Sequence, residues 1–231
     1  MSSSPPVLNQ DGVSDRIRKA AIALFTARGY HGTSVRAIAD LVGLEAASLY
    51  YHFPSKQEIL YDIFNRTMDY ALEGLERALG GATGFEARLR AAVRFHVLFH
   101  IERQDEAFIS HSELRSLTSP NRRRINVKRD RYEAMLRELL ATGTTASVFE
   151  TGDVRLATIA VLMMCSGVSD WFAARGPLTG DAVAGAYVEM VLGLLRPTAH
   201  SATKGLSRPS RANAAAKKLK SEASKGPAAR A

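Results

Sequence analysis

His96 and His100 stand four residues apart, spacing that puts two imidazoles on one face of a helix, and His111 follows further on. Such a pair begins a metal site only if matching ligands accompany it. No glutamate sits at zincin spacing beside it, and the single thiol, Cys165, lies in an apolar run and reads as an inert buried cysteine. The histidines are therefore read as satisfied or pocket-lining groups, with no metal and no cofactor. A nucleophile with its base, or paired carboxylates at consistent spacing, is also missing, so the pattern does not point to an enzyme. The basic run Arg122, Arg123, Arg124, Lys128, Arg129 and Arg131 could clasp phosphates, because arginine forks match them bidentately. Equally, it fits a solvated helix face paired with Glu133 and Glu138. Phe95, Phe99, Phe108, Met163, Met164 and Trp171 are candidates for an apolar cavity wall, or for ordinary core. Gly80-Gly-Ala-Thr-Gly84 lacks the Gly-Lys-Ser/Thr of a phosphate loop and reads as a linker. Asn65-Arg-Thr67 is a chance glycosylation match on a helix.

Positioning these groups takes 231 residues, 46% hydrophobic and 23% charged, which excludes wholesale disorder. One cysteine excludes a disulfide framework and fits a reducing compartment. The longest uncharged apolar run, Leu156 to Ser169, is short of the roughly 18 residues a bilayer span needs. Met1-Ser-Ser-Ser-Pro-Pro lacks the basic and apolar regions of a signal peptide. The expectation is a soluble cytoplasmic protein with no membrane partner. Of the net charge of +8, residues 198–231 carry +7, from eight basic residues against Glu222. The body is nearly neutral, so overall basicity is no argument for a nucleic-acid surface there.

Between a polar N-terminus (residues 1–13, read as disordered) and the basic tail (198–231, read likewise), apolar residues recur at three- and four-residue spacing. The fold class is all-α. A first helix begins near Ser14 or Asp15, either a good N-cap, and runs to about Arg28, with Ile17, Ala20, Ala21, Leu24 and Phe25 inward. A short second helix follows Thr33/Ser34 and ends at Gly43, and a third covers about 45–51. Ser55-Lys-Gln-Glu58 is a capping box opening a long helix to about Leu79. Further helices are expected over about 85–103, 105–117, 121–141, 153–174 and 181–195. The last two are apolar on more than one stripe, as helices of an inter-subunit four-helix bundle would be.

Residues 14–56 thus read helix, helix, glycine turn, helix. Ala39 is small where two helices must cross, Gly43 permits positive φ in the turn, and Leu49 packs the third helix down. Phe25 with Gly29, Thr33 to Ala39, Leu49-Tyr50-Tyr51-His52-Phe53 and Lys56 together resemble the tetracycline-repressor-like (TetR) family of bacterial transcription regulators. The resemblance implies a three-helix head over 14–60, with its helix-turn-helix at about 34–53, and a ligand-binding and dimerisation domain over 61–197. It implies double-stranded DNA, a palindromic operator, as partner. Ser34 and Arg36 then face the DNA, Ala46, Ala47 and Ser48 form the base-facing part of the recognition helix, and Tyr50, His52 and Lys56 meet the phosphate backbone. Neither alanine can hydrogen-bond, so readout leans on Arg36 to a guanine and on alanine contacts with thymine methyls. For Tyr51 and Phe53 core packing is expected.

More loosely, residues 85–195 resemble the C-terminal domain of TetR-like repressors of fatty-acid or steroid catabolism, whose effectors are acyl-CoA thioesters. The stretches Phe108 to Thr118, Lys128 to Tyr132, Gly167 to Phe172 and Gly176 to Thr179 carry that likeness. Many such relatives flank the tryptophan with arginines. Here Asp170 and Ala173 stand in those places, with Arg175 nearby as a further candidate ligand group. The resemblance implies a homodimeric repressor of a catabolic or lipid-related operon, released from DNA by a small apolar effector such as an acyl-CoA. An architectural DNA-binding protein, aided by the basic tail, is the other reading. The tail is read equally as a non-specific DNA anchor or as a solubilising segment.

Overall fold

The helical spacing is realised throughout: the computed structural model describes residues 10–195, and every regular element among them is helical. The expectations for residues 1–9 and for the basic tail lie outside the described residues.

Helix α1 (Gln10–Arg28) starts a turn earlier than the N-cap signals suggest. Val13 is buried, which extends the apolar stripe backwards, and the two candidate caps act sideways instead. Asp15 accepts from the Arg18 guanidinium, while the Ser14 hydroxyl faces His52 Nδ1 at 3.4 Å. Helix α2 (Val35–Val42) is capped as its sequence suggests, with Ala37 N–H donating to Ser34 Oγ at 3.1 Å. Gly43 ends it at φ +69°, a left-handed conformation that a side chain would resist. Helix α3 (Ala46–His52) follows, and Ser55 caps α4 (Lys56–Gly80) through Glu58 N–H at 3.2 Å.

The body comprises α5 (Phe85–Glu102), α6 (Gln104–Ser112), a 3-10 turn (Leu114–Ser116), α7 (Ser119–Thr145), α8 (Val154–Ser166), α9 (Val168–Trp171) and α10 (Gly180–Leu195). The helix expected over 153–174 is two pieces. After Gly167 the chain restarts, with Asp170 N–H donating to the Gly167 carbonyl at 3.2 Å. At the α4–α5 crossing the Phe95 ring occupies the space a side chain at Gly74 would need, 2.1 Å from a Cβ there.

Two hydrophobic cores result, and α4 runs through both. Ile59, Leu60, Ile63 and Phe64 join Ile17, Phe25, Ile38 and Leu49 in the first; Leu72, Leu75 and Leu79 join Val97, Leu136 and Val191 in the second. Ile109 of α6, Leu117 and Ile125 of α7 complete the first core. The head is therefore closed by three residues from the body, a link that local periodicity cannot reveal.

The outer side of α8 to α10 is different. Leu156, Met163, Trp171, Leu178, Met190 and Leu194 are each about half exposed or more, an apolar surface that a lone chain leaves in water. The segment Val154–Trp171, with Arg155 and Asp170 inside it, reaches 18 residues at mean hydropathy 1.3. That length and apolarity would suffice for a membrane crossing, but the break after Gly167 divides the segment into α8 and α9.

Candidate nucleic-acid interface and body cavity

In α2 and α3 the inward positions are Ile38, Ala39, Val42 and Leu49, all buried. This fixes the opposite side. Ser34, Arg36, Ala47, Ser48, Tyr50 and Tyr51 are exposed, with Ala46 and His52 half-buried. Arg36 holds no ion pair among the described residues, so its guanidinium remains available for a ligand. Phe53 packs into the core as expected, 7% exposed, but Tyr51 does not. It is 75% exposed, with its ring edge-on to His52 at 5.4 Å. Helical arithmetic explains the correction: Leu49 and Phe53 are four apart on the inner face, while Tyr51 lies four beyond the exposed Ala47.

Lys56 is placed differently from a simple phosphate contact. Its ammonium donates to the carbonyls of Tyr30 at 2.8 Å and Thr33 at 2.7 Å, and sits 4.2 Å from the centre of the Tyr30 ring. Partial burial pulls its pKa down. Two of its three donors are occupied by backbone, so its first task is to hold the α1–α2 turn against α4. His52, half-buried beside Ser14, is likewise tied to α1.

That turn is also held from the body. Tyr30 N–H donates to Glu113 Oε1 at 3.0 Å, and Ser116 Oγ donates to Glu113 Oε2 at 2.6 Å. Gln57 of α4 donates to Tyr30 Oη at 2.8 Å and to the Ser116 carbonyl at 2.6 Å, and its own carbonyl accepts from Thr118 N–H at 3.1 Å. Sequence offers no local signal for this polar joint, because its members are dozens of residues apart.

In the body, a cavity of about 230 Å³ opens between α4, α5, α6, α7 and α8. Met68, Phe99 and Leu162 supply apolar walls; His96, His100, Arg129 and Tyr132 supply the polar ones. Of the seven residues singled out as ligand-lining, only Phe99 lies here. Phe95 fills the α4–α5 crossing and stacks towards Tyr70 and Phe99. Phe108, Met163 and Trp171 point to the exterior, Met164 is half-buried away from the cavity, and Arg175 is exposed in the segment before α10. Large apolar residues mark this cavity poorly because three of the six, Phe108, Met163 and Trp171, serve the outer surface.

The histidines line the cavity, His96 with both ring nitrogens engaged and His100 with one. His96 Nδ1 lies 2.8 Å from Tyr132 Oη and Nε2 lies 3.0 Å from Ser166 Oγ, while His100 Nδ1 lies 2.9 Å from the His96 carbonyl. Burial drives the His96 pKa well below its usual value and takes His100 to about 4. The same desolvation raises Tyr132 and pushes the Cys165 thiol up to about 12. Among the described residues no three His, Cys, Asp or Glu side chains gather as a metal site. The basic run on α7 splits: Lys128 pairs with Asp69 and Arg131 with Glu76 at 2.5 Å, both partners being on α4 and not Glu133 or Glu138. Arg129 alone turns into the cavity.

A buried-Leu49 recognition helix, a glycine turn and an exposed polar-aromatic face define a helix-turn-helix DNA-binding head on a helical body with an internal cavity. Comparison agrees over most of the chain. Residues 17–63 match the model of bacterial regulatory proteins of the tetR family, and 82–195 match the Tetracyclin repressor-like C-terminal domain. The crystal structure of the TetR family transcriptional regulator PfmR from Thermus thermophilus is 36% identical, with a TM-score of 0.72 over 78% of this chain and 98% of that one. The chain belongs to the TetR family. The transcriptional repressor KstR2 of Mycolicibacterium smegmatis is 26% identical over 183 residues, 78% of this chain and 88% of that protein. The structure of AibR in complex with isovaleryl coenzyme A and operator DNA is 28% identical, with a TM-score of 0.70 over 77% of this chain and 96% of AibR. Membership in a family of regulators sets the architectural reading aside.

Proposed function

We propose that this protein is a ligand-responsive, homodimeric transcriptional repressor of a catabolic or lipid-related operon. Its head, residues 10–60, grips a palindromic operator, and its body, from residue 61, binds a small acyl effector that releases it. It acts on DNA in the cytoplasm and does no chemistry of its own.

The observation that carries this reading is that one helix serves both sites. Ala107, Ser110 and His111 of α6 line the cavity, Ile109 of the same helix packs into the head's core, and Glu113 just beyond it holds the Tyr30 N–H. An occupant that shifts α6 therefore moves the turn leading into α2. Repressor names such as KstR2, and the AibR complex with an acyl-CoA and operator DNA, support both halves of the reading.

Ser34, Arg36, Ala46, Ala47, Ser48, Tyr50 and Tyr51 form the DNA-facing set; His52 and Lys56 orient it. Arg36 reads a guanine edge and the two alanines contact thymine methyls. The exposed apolar side of α8 and α10 is the dimer interface, which sets the recognition helices about one DNA turn, ~34 Å, apart. At about 230 Å³ the cavity is below the roughly 300–1,000 Å³ of drug-sized sites, so it takes the acyl part of a thioester and leaves coenzyme A outside.

Footprinting on the DNA around its own gene tests the reading. Protection of a short inverted repeat, lifted by short-chain acyl-CoAs, is the expected result; uniform coating without a repeat would overturn it.

A further inference from the structure

Beyond its size, the cavity has a hydrogen-bonding polarity that restricts what it can hold. His100 is 8% exposed and lines it. Its Nδ1 faces the His96 backbone carbonyl at 2.9 Å, and a carbonyl can only accept, so Nδ1 must carry the proton. In the neutral ring Nε2 is then a bare lone pair, and no hydrogen-bond partner meets it among the described residues. Burial keeps the ring neutral at physiological pH, against the opposing pull of its bond to the His96 carbonyl; the His111 imidazole reinforces neutrality and the Asp170 carboxylate opposes it more weakly.

His96 offers no such opening, because both its nitrogens are engaged by Tyr132 and Ser166. Arg129 is the cavity's cation. It holds no carboxylate among the described residues; Glu133, which also lines the cavity, bonds Arg137 at 3.2 Å. A half-buried guanidinium calls for an acceptor or an anion. An uncharged donor such as a hydroxyl meets the neutral Nε2 lone pair without adding a second cation beside Arg129.

We infer that the effector is a short hydroxylated acyl compound, whose hydroxyl donates to His100 Nε2 and whose carboxylate or thioester carbonyl accepts from Arg129. This rests on the effector reading above and names the ligand class for the same site. Volume sets the length. At about 30 Å³ per water-sized unit, 230 Å³ accommodates about eight non-hydrogen atoms, a six-carbon hydroxyacyl group.

The test is isothermal titration of the full chain with hexanoate, 3-hydroxyhexanoate and 6-hydroxyhexanoate, each as free acid and as CoA thioester. At least one hydroxylated ligand should bind about tenfold more tightly than its unsubstituted parent, the worth of one buried hydrogen bond. The stronger series, acid or thioester, identifies the source. His100→Phe should bring that ratio to about one; Arg129→Met should weaken both ligands and keep the ratio. Should His100→Phe not fold, imidazole nitrogen resonances of the natural chain decide. The His100 Nε2 signal should move on adding the hydroxylated ligand and stay on adding hexanoate.

Equal binding of parent and hydroxylated ligands, or no binding by any of the six, would overturn the inference. Operator release by ligands that bind equally would leave the repressor reading intact. Hydroxyl-selective binding without operator release would do the opposite.

Discussion

Glu113 Oε1 accepts the Tyr30 backbone N–H at 3.0 Å, so the segment just after α6 is fastened to the turn that enters the helix-turn-helix. The two residues are 83 positions apart, and Glu113 follows directly on the helix that lines the cavity. Gln57 and Lys56, at the start of α4, bind the same turn from the other side. The head is thus gripped by two elements that both reach the body.

Replacing this carboxylate should uncouple the sites. In Glu113→Ala the effector should still bind within about twofold, but its effect on operator affinity should shrink by about fivefold or more, the low end of ordinary coupling energies. Titrating effector with and without operator measures both numbers. Unchanged coupling would mean that the signal travels elsewhere.

Arg36 and Lys56 should fail in different ways. Arg36→Ala should cost about 1–3 kcal/mol on the operator and relax preference at one base pair, with little loss on random DNA. Lys56→Met should lower the melting temperature, by about 1 kcal/mol of stability, and weaken all DNA alike through a loosened turn. Its salt slope should stay nearly constant, whereas loss of a direct phosphate contact would reduce the slope by about one.

Tyr51 and Phe53 make a matched pair. Phe53→Ala should cost about 3–5 kcal/mol of folding stability. Tyr51→Ala should fall within about 0.5 kcal/mol of the parent, because its ring is largely in water, yet reduce operator affinity. Denaturant unfolding beside DNA titration separates the two effects.

Acid should destabilise the body through its histidines. His100 binds its proton near pH 4 when folded and near 6.5 when unfolded, so between those values the unfolded chain holds more protons. Stability is then full above about pH 6.5 and declines as pH falls towards 4, by roughly 3 kcal/mol for this residue. His96, shifted the same way, adds to the decline. Unfolding curves at pH 7.5 and 5 should differ, and His100→Phe should flatten the difference.

Much of the head was legible because its signals are local. Ser34 and Gly43 each mark a helix end by side-chain chemistry that acts within a few residues, and Leu49 with Phe53 declares an inner face. At Tyr51 residue type argues for the core, whereas its spacing from the exposed Ala47 places it outside. The cavity was harder, since its walls come from five helices and its key cation, Arg129, sits in a run whose neighbours Lys128 and Arg131 pair outward with α4. Apolar size pointed instead to Met163 and Trp171, which are exposed on the face assigned to the partner copy. The break after Gly167 was hidden by apolar residues on both sides of it.

The central claim is that occupancy of the body cavity lowers affinity for an operator. Fluorescence anisotropy of the full chain on its labelled inverted repeat, with and without saturating short-chain acyl-CoA, tests it most directly. The expected result is a fall in operator affinity of about 5- to 150-fold, mirrored by an equal fall in effector affinity when operator is bound. Operator affinity that stays constant while the effector is demonstrably bound would contradict it.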